Sequence, residues 1–184
     1  MTPEVAFVRP VSRETVMTVE GRSVAYSSVR EQVYMVFPND LNANDTVFGG
    51  LIMSLIDRYS VVVADRHAAG ICVTVGVDAV HFIAPARRGD VLIFNASVNR
   101  AWGSSLEVGC KVEAERIGGG LRRHILSAYL TFVAMDEHSR PRAVPALLPE
   151  LPIERQRFEE AGLRRQSRLD HADELKALRA RTPV

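Results

Sequence analysis

Asp57 is the residue of this chain whose type and position most readily suggest chemistry. It lies within Leu51–Ala69, a stretch without proline or glycine that predicts a helix about 27 Å long. Apolar residues occupy nearly every side of this helix, so it is predicted to be wrapped by the rest of the protein. Charged side chains are rarely buried without a partner or a task. Asp57 is therefore either a catalytic carboxylate, a structural ion pair with Arg58 of a neighbour, or a hydrogen-bonded cap.

The spacing of Gly50, Met53 and Asp57 places the three residues on one side of the helix. Gly50 starts the helix, where backbone N–H groups are free and the dipole favours negative charge. One helix face thus offers a carboxylate and, two turns away, amide donors. Hydrolysis of a thioester needs both, because the carboxylate can activate water or attack the carbonyl directly while the donors stabilise the oxyanion. On local grounds, Gly49–Gly50 and Asn42 also fit ordinary turn residues.

The other elements that must position this helix are predicted to be strands, which gives an α+β fold. A first strand is expected within Ser23–Phe37, followed by a loop over residues 38–50 and then by the helix. Leu106 to Glu115 alternates most cleanly, with Glu107 on the polar side. Runs of strands with short turns favour an antiparallel sheet with the helix on one face. The remaining strands are predicted at Ile71–Ile83, Val91–Val98 and Ile125–Met135, and a proline-containing connector leads to a polar helix over Ile153–Arg181.

Composition sets the broad class of the protein. The chain has 184 residues and a formal net charge of +1, which suits one domain with a tail and disfavours nucleic-acid binding. The C-terminal arginines alternate with acids, so a solvated, salt-bridged helix is favoured over an anion site. Cys72 and Cys110 lie in apolar runs and are predicted to be buried thiols. No signal peptide or membrane span is evident, so a cytoplasmic location is expected, and the histidines lack metal-ligand spacing.

The stretch from Asn42 to Asp57 resembles the signature of hotdog-fold acyl-CoA hydrolases, namely small bacterial acyl-CoA thioesterases and the tandem-domain cytosolic (brain) enzymes of animals. The match covers most of residues 24–160. It continues through further segments, which are Ala64–His67, Val73–Val75, His81–Phe82, Pro85, Gly89–Asp90, Ser104–Ser105, Phe132–Ala134, Arg140–Pro145, Pro149–Glu150 and Arg157–Glu160.

The resemblance implies an antiparallel sheet wrapped around a central helix, two such units paired edge to edge, and a trimer of dimers, a homohexamer. It implies a hydrolase of acyl-CoA in fatty acid metabolism that needs no cofactor, because CoA belongs to the substrate. Asp57 would act from one subunit and Asn42 from the other, with Gly50 donating to the thioester oxygen. The substrate contacts expected on the same basis are Gly49, Phe48, Met53, Thr74, Arg88, Ser104 and Ser105. The domain boundaries that follow are 1–21 for an irregular segment, 22–148 for the hotdog domain, and 149–184 for the connector and charged helix.

The sequence departs from the family pattern at two positions. Asp45 stands where the family usually has glycine, which adds a charge beside the catalytic loop, and Phe48 stands where many members have histidine. Asn42 and Asn44 could exchange roles if the loop is shifted. Asp78 and His81 are candidates for lining the tunnel, with a structural histidine favoured for His81. The alternative functions are a non-catalytic acyl-CoA sensor and another hotdog enzyme such as a hydratase.

Overall fold

A long helix lies against one face of a five-stranded antiparallel sheet, and a second long helix lies against the other face. The computed structural model describes residues 20–118 and 120–181, so the predicted irregular segment 1–21 falls almost wholly outside it. In chain order the elements are β1 (Arg22–Ser23), α1 (Val24–Ser27), β2 (Val29–Met35), a 3-10 turn (Pro38–Asp40), α2 (Gly49–Ala68), β3 (Cys72–Val77), β4 (Asp90–Trp102), β5 (Ser105–Arg116), β6 (Arg123–Ala134), β7 (Leu147–Leu148) and α3 (Pro152–Arg181).

The sheet has the strand order β2-β4-β5-β6-β3, and each neighbouring pair is antiparallel. The predicted α+β class and antiparallel sheet are therefore confirmed. Strands β2 and β3 form the two edges, and β1 pairs with β7 in a separate two-stranded sheet. Among residues 20–118 and 120–181, no strand pairs with the outer side of β3, so its backbone groups there can pair with another strand.

The core fills the space between α2 and the inner face of the sheet. Alternate residues of β5, such as Leu106, Val108 and Cys110, point into it, and Ile56 and Val63 of α2 meet them. Both cysteines are buried free thiols, as predicted. Burial raises the pKa of the Cys110 thiol to about 12, so this group is inert near neutral pH.

Helix α2 is not wrapped on every side. Ile52, Leu55 and Ile56 are buried, whereas Met53 and Asp57 are exposed on an open flank. The predicted burial of Asp57 inside a single chain is wrong, because the sheet of this chain covers only one side of the helix. The side of α2 that the sheet leaves uncovered also carries apolar residues, and for this reason the sequence predicted that the whole helix is buried.

Several element boundaries also differ from the prediction. The segment Ser23–Phe37 contains the short helix α1 before β2 begins, and the strand expected over Ile71–Ile83 ends at Val77. The left-handed residue that ends α2 is Ala69, with φ of 54°, rather than Gly70. Gly70 instead donates its amide to the Asp65 carbonyl at 3.1 Å, which closes the helix end.

Helix α3 packs on the outer face of the sheet through its first half. Glu107, predicted to face solvent, is fully buried beneath this helix. Arg164 and Arg168 both pair with its carboxylate, at 2.7 and 3.2 Å, and the Asn99 amide donates to it at 3.1 Å. The tail helix is therefore not merely a solvated, salt-bridged helix, because part of its positive charge neutralises a buried acid. Within the described residues, no helix is long and apolar enough to cross a membrane.

Candidate functional site

The carboxylate of Asp57 lies on the open flank of α2, beside the free edge of the sheet. The Thr74 hydroxyl of β3 donates a hydrogen bond from Oγ1 to Oδ1 of Asp57, at 2.7 Å. Among the described residues, no cation forms a salt bridge with this carboxylate, and Arg58 of the same chain is not its partner. Asp57 is thus oriented by one donor while its second oxygen remains available to a water molecule.

The N-terminus of α2 supplies hydrogen-bond donors on the same side of the helix. Phe48 occupies the N-cap, and its ring has no acceptor for the first-turn amides. The amides of Gly49 and Gly50 therefore remain available to an incoming oxygen. A Cβ on Gly50 would clash with the Phe48 ring, and one on Gly49 would lie 3.3 Å from the Phe82 ring. The glycine pair thus admits two aromatic rings beside these donors.

Asn42 organises the loop that precedes α2. Its side-chain oxygen accepts from the Asn44 amide at 2.8 Å, and its Nδ2 donates to the Thr46 hydroxyl at 2.9 Å. Asp45 follows with φ of 55°, a left-handed conformation that glycine adopts more readily than other residues. This geometry gives a physical reason for a glycine at that position. The hydrogen bonds of this loop fix the side chain of Asn42. Asn44 takes part in them through its backbone amide.

The other expected contact residues fall into two groups. The turn that carries Arg88 lies against the Asn42 loop, because Thr46 and Arg87 form an antiparallel bridge. Ser104 and Ser105 lie at the β4–β5 turn, away from this loop. The Ser105 hydroxyl accepts from Arg165 of α3 at 3.2 Å, on the face of the sheet opposite to α2. Within one chain, then, the structure brings Arg88 to the loop and leaves the serine pair on the other face.

Two contacts seen in the structure, one made by Thr74 and one by Asp78, were not predicted from the sequence. Thr74, an expected substrate contact, donates a hydrogen bond to the Asp57 carboxylate. Asp78, a candidate for lining the tunnel, pairs with Arg168 at 2.7 Å. Alternation along β3 places Thr74 on the helix side, but only the tertiary structure shows that Asp57 lies opposite. No group of His, Cys, Asp and Glu that could hold a metal ion occurs in the described part of the chain.

Comparison with known proteins gives concordant matches. Residues 44–120 match the profile of the Thioesterase superfamily. Acyl-coenzyme A thioesterase 11 of Mus musculus is 36% identical over 76% of this chain and 24% of its own length. An uncharacterised acyl-CoA thioester hydrolase of Bacillus subtilis is 38% identical over 62% of this chain and 67% of its own length. The chain therefore spans about a quarter of the mouse protein and two thirds of the bacterial one.

Solved structures show the same architecture. An acyl-CoA hydrolase from Staphylococcus aureus, in complex with butyryl coenzyme A and coenzyme A, is 32% identical, with a TM-score of 0.79 over 85% of this chain and 95% of that one. A hexameric acyl-CoA thioesterase is 31% identical, with a TM-score of 0.81 over 84% of this chain and 98% of that one. Alanine variants of the Staphylococcus aureus enzyme replace an asparagine, an aspartate and a threonine. Those positions have the same spacing as Asn42, Asp57 and Thr74.

Proposed function

The chain belongs to the acyl-CoA thioester hydrolases of the Thioesterase superfamily, and on this basis we propose that it hydrolyses acyl-CoA to CoA and a free carboxylic acid. The observation that carries the proposal is the Asp57 carboxylate, held by Thr74 on an open helix flank with no cation paired to it among the described residues. A carboxylate in this state can accept a proton from water. Recognition of acyl-CoA by the Staphylococcus aureus relative supports the same substrate class.

The proposed reaction uses Asp57 as a general base. Asp57 removes a proton from a water molecule, whose oxygen attacks the thioester carbonyl carbon. The resulting oxyanion accepts hydrogen bonds from the Gly50 amide and the Asn42 side chain. The C–S bond then breaks, the electron pair leaves with the CoA sulfur, and the thiolate takes up a proton. Direct attack by Asp57 would form a mixed anhydride, and labelled oxygen in Asp57 after a single turnover in ¹⁸O-water would establish that route, because it requires water to attack the Asp57 carbonyl of the anhydride.

The proposed site requires two copies of the chain. Asp57 lies seven residues beyond Gly50, about 10 Å along the helix, which is too far for both to act on one carbonyl in one chain. A second copy paired at the free β3 edge would bring its own helix start to Asp57 of the first. We therefore propose a homodimer as the minimal unit and a homohexamer as the full assembly, a state that the hexameric relative supports.

The acyl chain and the CoA arm are proposed to bind on either side of the thioester. The exposed rings of Phe48 and Phe82 and the exposed Met53 offer an apolar surface near the start of α2. Arg88 is exposed beside the Asn42 loop and suits a phosphate of CoA. Ser104 and Ser105 are proposed to contact the CoA arm on the basis of the family resemblance, and the Ser105 hydroxyl lies on the α3 face of the sheet, away from Asp57.

The proposed setting is fatty acid metabolism in the cytoplasm. A mouse relative that is 32% identical is named as a cytosolic acyl coenzyme A thioester hydrolase. Catalysis is proposed to need no cofactor beyond the CoA that the substrate carries, since a carboxylate, water and amide donors complete the reaction.

Replacement of Asp57 by alanine tests the proposal. We expect the turnover of a panel of acyl-CoA esters to fall about 10²- to 10⁴-fold, because general-base assistance contributes about that much. The release of free CoA thiol measures this turnover. Glu159→Ala, which removes an exposed acid from α3, is the matched control and should retain full activity. An Asp57→Ala enzyme of unchanged activity would refute the role of this carboxylate. A wild-type protein that binds acyl-CoA without releasing thiol would instead be a sensor.

A further inference from the structure

Helix α3 crosses the outer face of the sheet from one strand to the next and reaches the β3 edge. Its contacts run in the order of the strands, which are Phe158 with Arg100 of β4, Arg164 with Glu107 of β5 and with the Tyr129 ring of β6, and Arg168 with Asp78 directly after β3. The helix therefore crosses the strands from β4 towards β3, with Arg165 also reaching the Trp102 ring at the end of β4. Arg168 marks the point where it leaves the sheet of its own chain.

The last three turns of α3 extend beyond that edge. Residues 169–181 span about 20 Å, the width of about four strands. All of them are exposed except Ala172, which is half-buried. Helical spacing places Ala172, Leu175 and Arg179 on the same side as Arg168, the side that faces the sheet in the first half of the helix. The sheet-facing stripe, with Ala172 and Leu175 as its apolar members, thus continues past the edge, and no described residue of its own sheet lies beneath it.

A matching apolar surface lies at the other end of β3. Thr74 faces α2, so Val73 faces the outer side of the sheet. Its β6 neighbour Val133 is in turn paired with Ser105, which contacts α3. Val73 is 39% exposed and Ile71, two residues earlier, is 71% exposed. Backbone pairing at the β3 edge would not cover these side chains, because they project from the face of the sheet.

We propose that residues 169–181 of α3 form a strap across the β3 joint, in which Ala172 and Leu175 cover Ile71 and Val73 of a second copy. The inference rests on the edge-paired dimer proposed above. Antiparallel pairing places the Asp78 end of one β3 beside the Ile71 end of the other, so α3 leaves its own sheet next to the exposed patch of its partner. Arg179 then lies further onto the second copy, whose turn after β6 carries the exposed Glu137. That turn lies near Ile71, because the Met135 amide donates to the Ile71 carbonyl.

Two substitutions on opposite sides of the strap test its contact with the second copy. Leu175→Glu places a charge on the sheet-facing stripe, whereas Ala177→Glu places the same charge on the solvent side. We expect Leu175→Glu to raise the dimer dissociation constant at least about tenfold, because burial of a leucine contributes that much or more. Ala177→Glu should leave it unchanged. Sedimentation equilibrium over a range of protein concentrations measures both, and equal effects of the two would overturn the strap.

Disulfide formation between separately prepared chains tests where the strap lies. Mixing Leu175→Cys chains with Val73→Cys chains should give covalent dimers under mild oxidation, whereas Ala177→Cys chains should give few. Comparable yields with Ala177→Cys, or none with Leu175→Cys, would overturn the placement. If dimers and thioester hydrolysis persist in those cases, the strap alone is wrong. A full-length wild-type chain that is monomeric and fully active would instead refute the two-copy site on which the strap rests.

Discussion

Asp57 and Glu107 are two carboxylates on opposite faces of the same sheet, and their surroundings differ in burial, charge and hydrogen bonding. Asp57 is exposed on α2 and accepts one hydrogen bond, from the Thr74 hydroxyl. Glu107 is fully buried under α3, where Arg164 and Arg168 pair with it and Asn99 donates to it. The buried acid has every oxygen occupied, whereas the exposed acid keeps an oxygen free. A buried carboxylate whose oxygens are all paired, such as Glu107, stabilises the fold. An exposed carboxylate with an unpaired oxygen, such as Asp57, is available to accept a proton.

The strongest way to break this comparison is to remove the buried acid. Glu107→Ala leaves Arg164 and Arg168 without their shared counter-ion beneath α3. We expect a loss of about 2 kcal/mol in the free energy of unfolding, less than the roughly 3–5 kcal/mol of a fully buried pair, because both arginines are partly exposed. Asp57→Asn should change stability by less than about 0.5 kcal/mol. Urea denaturation at one fixed protein concentration measures both, and a larger loss for Asp57→Asn would reverse the assignment of roles.

The second test removes the hydroxyl that orients Asp57. Thr74→Val keeps the shape of the side chain but removes the donor to the Asp57 carboxylate, and hydrogen bonds to charged groups are worth about 1.5 kcal/mol or more. We expect kcat to fall at least about tenfold with KM nearly unchanged, because the hydroxyl positions the base. Thr74→Ser, which retains the hydroxyl, should restore most of the rate. A valine variant that changes KM alone would make Thr74 a substrate contact instead.

His67 illustrates a third way in which an ionisable side chain tolerates burial, which is to remain uncharged. Its ring is fully buried at the end of α2, Nε2 lies 3.1 Å from the Pro145 carbonyl, and burial together with nearby Arg22 lowers its pKa below the ordinary 6.5. The folded state therefore binds fewer protons than the unfolded state below pH 6.5. Stability is expected to be retained above that pH and to fall as the pH drops below it. His67→Gln should weaken the pH dependence of the free energy of unfolding, measured by urea denaturation between pH 5 and 8. An unchanged pH dependence would show that His67 is not its source.

The sequence predicts the strands and helices better than it predicts their surroundings. Alternation along β5 and the unbroken stretch of α2 depend on local pattern, and both elements occur where the pattern places them. The environments of Asp57 and Glu107 are opposite to those expected. Which flank of α2 its sheet leaves open, and whether the tail folds back over β5, are properties of the tertiary structure. The alternating arginines of α3 fit a solvated helix until Glu107 is seen beneath them.

The site residues divide in the same way. Spacing along α2 and the family resemblance point to Asp57 and Gly50 as candidate site residues, because helical period and motif are local. The bond between Thr74 and Asp57 joins residues on different elements, and no local pattern encodes it. The proposed completion of the site by a second copy is also beyond local pattern, since it depends on which sheet edge remains free.

Asp45 gives the smallest expected effect and separates backbone strain from charge beside the site. Its φ of 55° suits glycine, and aspartate tolerates this conformation better than most residues. We expect Asp45→Gly to change the free energy of unfolding by less than about 0.5 kcal/mol, because relief of strain is offset by the flexibility of the unfolded glycine. Asp45→Ala should destabilise by about 1 kcal/mol, since alanine tolerates a left-handed φ less well than aspartate does. Asp45→Asn keeps the backbone preference and removes the charge, so a change in thioester turnover in this variant, measured beside Asp45→Gly, reports the carboxylate alone. If alanine and glycine prove equally stable, the left-handed turn does not govern this position, and the loop that carries Asn42 owes its shape to the bonds between Asn42 and Thr46.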